Sequence, residues 1–220
     1  WEDIFIYRNI ELTTKQWSET AAHVLGNTQA MIRLWSKLQF MVGLVKRICD
    51  RSGTIARPDI QAQLGDLATR ASLVEGLIFA AEVNPIKDQF GVVRPNPAML
   101  HACQTLQSTL YPETIDIVRN MMGGSLLQLP SSAADFSSPE TGQDFARYVR
   151  WPGVDAQERV KLLKLLWDLI GSEFAGRHIQ YELFYAGAPA VVKGREFRAY
   201  DWADAERLVD HCLADFDLSV

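Results

Sequence analysis

Cysteine is scarce in this chain. Cys49, Cys103 and Cys212 are its only three in 220 residues, and they lie far apart with no CxxC pair. Neither a disulfide framework nor a zinc-finger spacing is available from them. Each sits in a run of helical character, so all three are expected to be buried, reduced thiols, which fits a cytoplasmic location. Long apolar runs are missing too. "LLKLLWDLI" carries charge and falls short of the roughly 18–20 residues that a membrane span requires. There is no basic run, and a net charge of -5 argues against a generic nucleic-acid binder. Phosphate-cradling GxxxxGK[ST] and strand-linked GxGxxG patterns do not occur, nor do HExxH and GxSxG. The ExxH pairs of a di-iron bundle are also lacking. His23 and His178 stand alone, while His101 precedes Cys103 by two residues and His211 adjoins Cys212. Side chains at those spacings diverge on a helix, so no metal-ligand set is identified. Neither an initiator Met nor a signal-peptide pattern precedes Trp1, and the chain is expected to be part of something longer.

What remains is a composition of 48% apolar and 22% charged residues, ordinary for a globular domain with a substantial core. The first ten residues, "WEDIFIYRNI", read as a short β-strand whose sheet is missing, because an isolated strand is unstable. Helical periodicity dominates the rest. Residues 12–27 read as a helix capped at Thr13 or Thr14 and closing at Gly26-Asn27. In the next run Met31, Leu34, Trp35, Leu38, Met41, Val42, Val45 and Ile48 recur at three- and four-residue intervals. They predict about seven turns of amphipathic helix ending at Gly53. A third helix starts at Pro58-Asp59 and ends near Asn84-Pro85. "IKDQFGVVRPNP" reads as a loop with room for a small hairpin. A fourth helix starts at Asn96-Pro97, is kinked or divided by Pro112, and stops at Gly123-Gly124. Beyond a long non-helical stretch and a short helix at "QDFARYVR", a long helix capped at Asp155 is interrupted near Gly171 or Gly176. A last helix is capped by Asp201. Four long helices with consistent apolar stripes make an all-α bundle.

Two places carry residue types suited to chemistry. At Gly123-Gly124, a glycine C-cap followed by a structured loop competes with a loop whose bare backbone approaches a phosphate or ring. In "SEFAGRHIQYELFYAG", residues 172–187, Phe174, His178, Tyr181 and Tyr185 share one helical stripe with Arg177 and Phe184 beside it. An aromatic core stripe with a snorkelling Arg is one reading. The other is a wall for a flat, anionic ligand, since Arg, His and Tyr each bring a polar group that needs a partner.

Three segments together, "WEDIFIYRN", "MMGGSLLQLPSS" and "ERVKLLKLLWDLIGSEFAGRHIQYELFYAG", resemble the oxygenase component of two-component 4-hydroxyphenylacetate 3-monooxygenases. Chlorophenol monooxygenases and a pyoverdine-chromophore hydroxylase belong to the same group. The resemblance covers essentially the whole chain, but only the carboxy-terminal part of such an enzyme. It implies an acyl-CoA dehydrogenase-like carboxy-terminal helical bundle over residues 11–220. Residues 1–10 would then be the last strand of a missing middle β-barrel.

By the same resemblance, the full-length protein is expected to ortho-hydroxylate a phenolic substrate with molecular oxygen and reduced FAD. The FAD comes from a separate flavin reductase, and the assembly is a homotetramer. No catalytic residue is expected here, since the family's phenol-holding groups lie in the missing domains, and the chain alone is expected to be inactive. The bundle is expected to oligomerise and complete the flavin pocket. Tyr181, Glu182, Leu183, Phe184 and the Tyr185-Ala186-Gly187 turn would approach the flavin, with Arg177 and His178 as its polar contacts. Gly123 and Gly124 would meet a neighbouring subunit's FAD. The alternatives are a non-catalytic helical assembly module and the equivalent domain of an acyl-CoA dehydrogenase or 4-hydroxybutyryl-CoA dehydratase relative.

Overall fold

In the computed structural model, residues 9–214 and 216 are described, and they are overwhelmingly helical. Three long helices form the frame: α2 (Ala22–Ser52), α3 (Pro58–Val83) and α4 (Pro97–Met122), preceded by a short α1 (Ile10–Glu19). Strands β1 (Ile86–Lys87) and β2 (Val93–Arg94) pair antiparallel between α3 and α4. Then follow α5 (Gly142–Tyr148), α6 (Ala156–Ile170), α7 (Glu173–Phe184), α8 (Pro189–Ala199) and α9 (Trp202–Leu213). α3 packs on α2 and α4, α6 lies on α2, and α7 and α8 both lie on α4.

The apolar spacing dictates this packing. Met31, Leu34, Leu38, Met41, Val45 and Ile48 on α2 are all buried, with Trp35 and Val42 at the margin of the same stripe. They meet Leu67 and Val74 of α3, Leu100, Ile115 and Val118 of α4, and Leu163, Leu166 and Ile170 of α6 in one cluster. Local signals act as expected at most ends. Gly53 closes α2 in the left-handed conformation (φ 77°), Asn96 caps α4 through the Ala98 N–H, and Asp155 caps α6. Asp201 caps α9.

Several boundaries differ from the sequence expectation. The first break falls at Thr20-Ala21, and α2 runs through Gly26 and Asn27 without interruption. Asn27 is buried there and bonded through its amide to His23, so a residue that usually ends helices is held by a partner one turn earlier. Pro112 does not divide α4. The chain turns at Gly171-Ser172, not at Gly176. A Cβ on Gly171 would lie 2.4 Å from the Trp167 ring, so only glycine fits between α6 and α7. Helix α8 was not foreseen, because 189–199 carries little apolar periodicity and buries only Val192. Of the cysteines, Cys49 and Cys103 are buried but Cys212 is exposed, since α9 buries none of its residues. The strand expected over 1–10 lies outside the described residues up to position 8; Asn9 caps α1 and Ile10 is its first residue.

The core places a direct demand on stability. Leu38→Ala, at a fully buried position on α2, should cost about 2–5 kcal/mol in denaturant unfolding. Leu127→Ala, at a position 82% exposed, should stay within about 0.5 kcal/mol.

Candidate functional site

The centre of the conspicuous α7 segment is its one acidic residue facing inward. Glu182 has a fully buried side chain, and three neighbours converge on its carboxylate. Arg33 of α2 donates from Nη2 to Oε2 at 2.9 Å and from Nε to Oε1 at 3.3 Å. Lys37, one turn further on, donates to Oε1 at 2.5 Å, and the amide of buried Gln107 on α4 donates to Oε2. A desolvated carboxylate is tolerated only with such partners. The cluster ties three helices at one point.

The aromatic stripe is arranged around the same cations. Arg33 donates from Nη1 to the Tyr181 hydroxyl at 2.9 Å. Its guanidinium lies 4.3 Å from the Tyr181 ring centre and 4.6 Å from that of Tyr185. The two tyrosine rings stack with centroids 4.6 Å apart, and Tyr185 donates its hydroxyl hydrogen to Gln29 at 3.2 Å. Cation–π contact and stacking both favour this geometry. Tyr181, Phe184 and Tyr185 remain 37–49% exposed. The result is a firmly backed aromatic platform open to the outside.

Lys37 also sits 2.6 Å from Nδ1 of His178. Burial first, and then the Lys37 and Arg33 charges, lower the His178 pKa, although Glu182 opposes this. A neutral ring can then accept from Lys37 through Nδ1. Phe174 packs on His178 with ring centroids 4.2 Å apart. Burial also lowers the pKa of Lys37, against the raising effect of Glu182.

Arg177 is not part of this constellation. It points outward, largely exposed, and pairs with Glu173 at 2.6 Å, so the adjacent Arg177 and His178 serve opposite sides of α7. Leu183 is half-buried. Beyond the platform Gly187 turns the chain at φ 119°, and Arg195 of α8 donates to the Ala186 carbonyl at 3.2 Å. Gly123 and Gly124 end α4 twelve residues past Tyr111, about 18 Å along the axis, in an open turn with Gly123 at φ 51°. They are not brought to the α7 segment within one chain. Sequence reading missed Arg33, Lys37, Gln107 and Arg195. Lone cations and amides inside amphipathic helices give no pattern of their own, though Arg33 and Lys37 at i, i+4 do mark a polar interruption beside an apolar stripe.

A second polar cluster lies towards the start of α2 and α4. His23 and His101 have ring centroids 5.9 Å apart, and neither ring nitrogen of His101 has a hydrogen-bond partner. Gln104, 2% exposed, also has both amide atoms unpartnered. Burial, followed by the charges of His23 and Arg195, pushes the His101 pKa down to about 4. Among the described residues no group of three or more His, Cys, Asp or Glu side chains could hold a metal ion. No helix there is long and apolar enough to cross a membrane.

Two predictions follow from these buried groups. Glu182→Gln should destabilise the domain by about 3 kcal/mol, since it leaves two desolvated cations short of their counter-charge. Glu173→Gln, in an exposed pair, should cost less than about 0.5 kcal/mol by the same unfolding measurement. On acidification, unfolded His101 takes up a proton near pH 6.5, whereas the folded chain resists until about pH 4. Stability should therefore fall as pH drops from about 6.5 to about 4, and His101→Gln should flatten that slope.

Comparison with known proteins bears on the family and the fold. The chain is 32% identical over 224 residues to the oxygenase component of 4-hydroxyphenylacetate 3-monooxygenase from Klebsiella oxytoca, covering 99% of this chain and 43% of that protein. It is 30% identical over 225 residues to the pyoverdin chromophore biosynthetic protein PvcC of Pseudomonas aeruginosa, covering 99% of this chain and 44% of that one. The chain thus spans less than half the length of these relatives. The crystal structure of the oxygenase component (HpaB) of 4-hydroxyphenylacetate 3-monooxygenase complexed with FAD and 4-hydroxyphenylacetate superposes with a TM-score of 0.91. It shares 23% identity, over 98% of this chain and 45% of that one. An archaeal 4-hydroxybutyryl-CoA dehydratase superposes more loosely, with a TM-score of 0.73 at 19% identity over 83% of this chain and 37% of that one. These two likenesses concern the fold, which is the acyl-CoA dehydrogenase-like bundle. Residues 13–214 match the 4-hydroxyphenylacetate 3-hydroxylase C-terminal family, and the chain belongs to that family.

Proposed function

We propose that this chain is the carboxy-terminal, flavin-pocket-completing domain of a monooxygenase that ortho-hydroxylates a phenol. The observation that carries the reading is the exposed Tyr181–Tyr185 platform, backed by Arg33 and locked by buried Glu182, in a chain whose relatives include 4-hydroxyphenylacetate 3-monooxygenase oxygenase components.

The residues present fit FAD. Planar rings offer a stacking surface, and the Ala186-Gly187 turn leaves backbone free of side-chain bulk. Arg195 and the N-terminus of α8 bring positive charge to the same turn, suited to a pyrophosphate. Tyr181, Phe184, Tyr185, Ala186 and Gly187 would line the cofactor, with Leu183 packed behind them. Glu182 acts through Arg33 without touching it, and half-buried His178 faces Lys37. Arg177, on the outer face, would reach only a group approaching from outside. Gly123 and Gly124 would serve the flavin of a neighbouring subunit. Reduced FAD, delivered by a separate reductase, supplies the electrons with which oxygen is split between the phenol and water. This chain's part is to bind, orient and help exclude water.

We also infer a homotetramer and a cytoplasmic location. Leu25, Ile32 and Phe40 on α2 and Leu73, Phe79 and Val83 on α3 form apolar outer faces that a partner subunit would cover. Free thiols, one of them exposed, suit a reducing compartment. In the full-length protein, the residues before Asn9 would supply a strand to a preceding β-barrel, and the bundle would begin at α1.

Anaerobic titration of the full-length protein with reduced FAD tests the reading. Tyr185→Ala should weaken binding roughly 2–10-fold, the range of one aromatic stacking contact. Tyr181→Ala should do the same, and Arg195→Ala should weaken it further by removing a charge-assisted contact. Wild-type affinity in all three variants would leave the assembly-module reading in its place.

A further inference from the structure

The corner where α8 meets α9 lies at the other end of α8 from the Ala186-Gly187 turn, and the flavin reading makes no use of it. Phe197 stands in the last turn of α8, Tyr200 follows that helix and Trp202 opens α9. Two hydrogen bonds fix the corner. The Trp202 indole donates from Nε1 to the Phe197 carbonyl at 2.7 Å, and the Trp202 backbone N–H donates to the Tyr200 carbonyl at 3.0 Å. The indole is thereby held against both other rings, with centroids 5.2 Å from Phe197 and 4.9 Å from Tyr200. All three side chains are 47–63% exposed. With Glu196 and Ala205 they line an open pocket of about 390 Å³.

Glu196 is the one charged residue in that lining. Its Oε2 is sealed from solvent with no hydrogen-bond partner, and among the described residues its carboxylate makes no hydrogen bond or ion pair. Burial raises its pKa, and no cation opposes that shift. The chain's own arginines nearby are turned elsewhere. Arg195 donates to the Ala186 carbonyl, Arg198 folds back along α8 towards Gly194, and Arg207 pairs with Asp204. Cation–π contacts among the described residues fall on Tyr111, Tyr148, Trp151, Tyr181 and Tyr185, and on none of these three rings. A carboxylate that has lost water without gaining a donor is short of a positive partner. Ring faces carry partial negative charge, and so does the C-terminal end of α8, so both add to the same preference.

We propose that this pocket binds a small protonated primary amine, with its ammonium on Glu196 and its apolar body on the rings of Phe197, Tyr200 and Trp202. The carboxylate asks for an N–H donor, which a quaternary ammonium lacks. A guanidinium would look for two free carboxylate oxygens, and Oε2 is sealed. An ammonium needs only the one oxygen that remains. The volume exceeds what an ammonium alone fills and leaves room for a short alkyl body against the rings. Because the indole is tied at both its Nε1 and its backbone N–H, the wall is set before any ligand arrives. The site does not rest on the flavin assignment.

Fluorine NMR of the full-length protein labelled with fluorotryptophan reads the site directly, and the signal lost in Trp202→Phe identifies Trp202. At constant ionic strength n-butylammonium should shift that signal saturably. The neutral n-butanol should bind at least about tenfold more weakly. Tetramethylammonium, charged but without an N–H, should bind at least about threefold more weakly than n-butylammonium. Glu196→Gln should cost about tenfold in n-butylammonium affinity. Ala205→Leu, which fills the pocket from α9, should abolish saturable binding, so one variant serves if the other fails to fold. Wild-type positions of the remaining tryptophan signals show that a variant is folded. A Trp202 signal that n-butylammonium leaves unmoved, or that n-butanol moves equally well, would overturn the proposal. So would equal affinity for tetramethylammonium, or unchanged affinity in either folded variant.

Discussion

Everything distinctive about this domain hangs on one buried carboxylate. Glu182 accepts three hydrogen bonds from α2 and one from α4, while itself belonging to α7. An apolar residue at 182 could fill the same space, but it would leave Arg33 and Lys37 facing a low-dielectric interior. With the carboxylate in place, Arg33 is fixed, and through it the orientation of both Tyr181 and Tyr185. The ion cluster therefore converts the register of three helices into the attitude of two exposed rings. Buried charge is weak as a source of net stability, but it discriminates sharply between registers, because a one-residue slip of α7 would strand the cations.

The frame around this cluster was legible from sequence wherever apolar spacing determines burial. The α2 stripe from Met31 to Ile48 lies as its intervals require. Caps at Asn96, Asp155 and Asp201 act where their side chains suggest. Failures occurred where a tertiary contact overrides local chemistry. Asn27 does not end a helix because His23 engages its amide, and the α6–α7 break is fixed by the Trp167 ring against Gly171. Helix α8 escaped notice because it buries a single valine. Within the site, the aromatic stripe could be read from spacing alone, whereas its meaning could not. Arg177 and His178 are neighbours in sequence, yet α7 sends them to opposite faces. The cations that matter, Arg33 and Lys37, lie almost 150 residues away, and no local pattern connects them to Glu182.

Core and site also divide the molecule functionally. The apolar cluster of α2, α3, α4 and α6 is closed and continuous, as a bundle that carries its own stability must be. The α7–α8 corner is different: it presents three large aromatic side chains, a positive-φ glycine turn and an arginine on one edge. A rigid interior supporting an exposed, preorganised edge is the arrangement expected of a domain that completes a cofactor pocket from one side. A plain assembly module would need the apolar outer faces of α2 and α3 but not this corner.

The central claim is that Glu182 governs ligand affinity at the tyrosine platform without touching the ligand. A double-mutant cycle on reduced-FAD binding in the full-length protein, with Glu182→Gln, Tyr185→Ala and their combination, measures this most directly. The account predicts that Glu182→Gln weakens binding by itself and that the double variant loses much less than the sum of the two, a coupling of about 1 kcal/mol or more. Strictly additive losses, or unchanged affinity in Glu182→Gln, would contradict it.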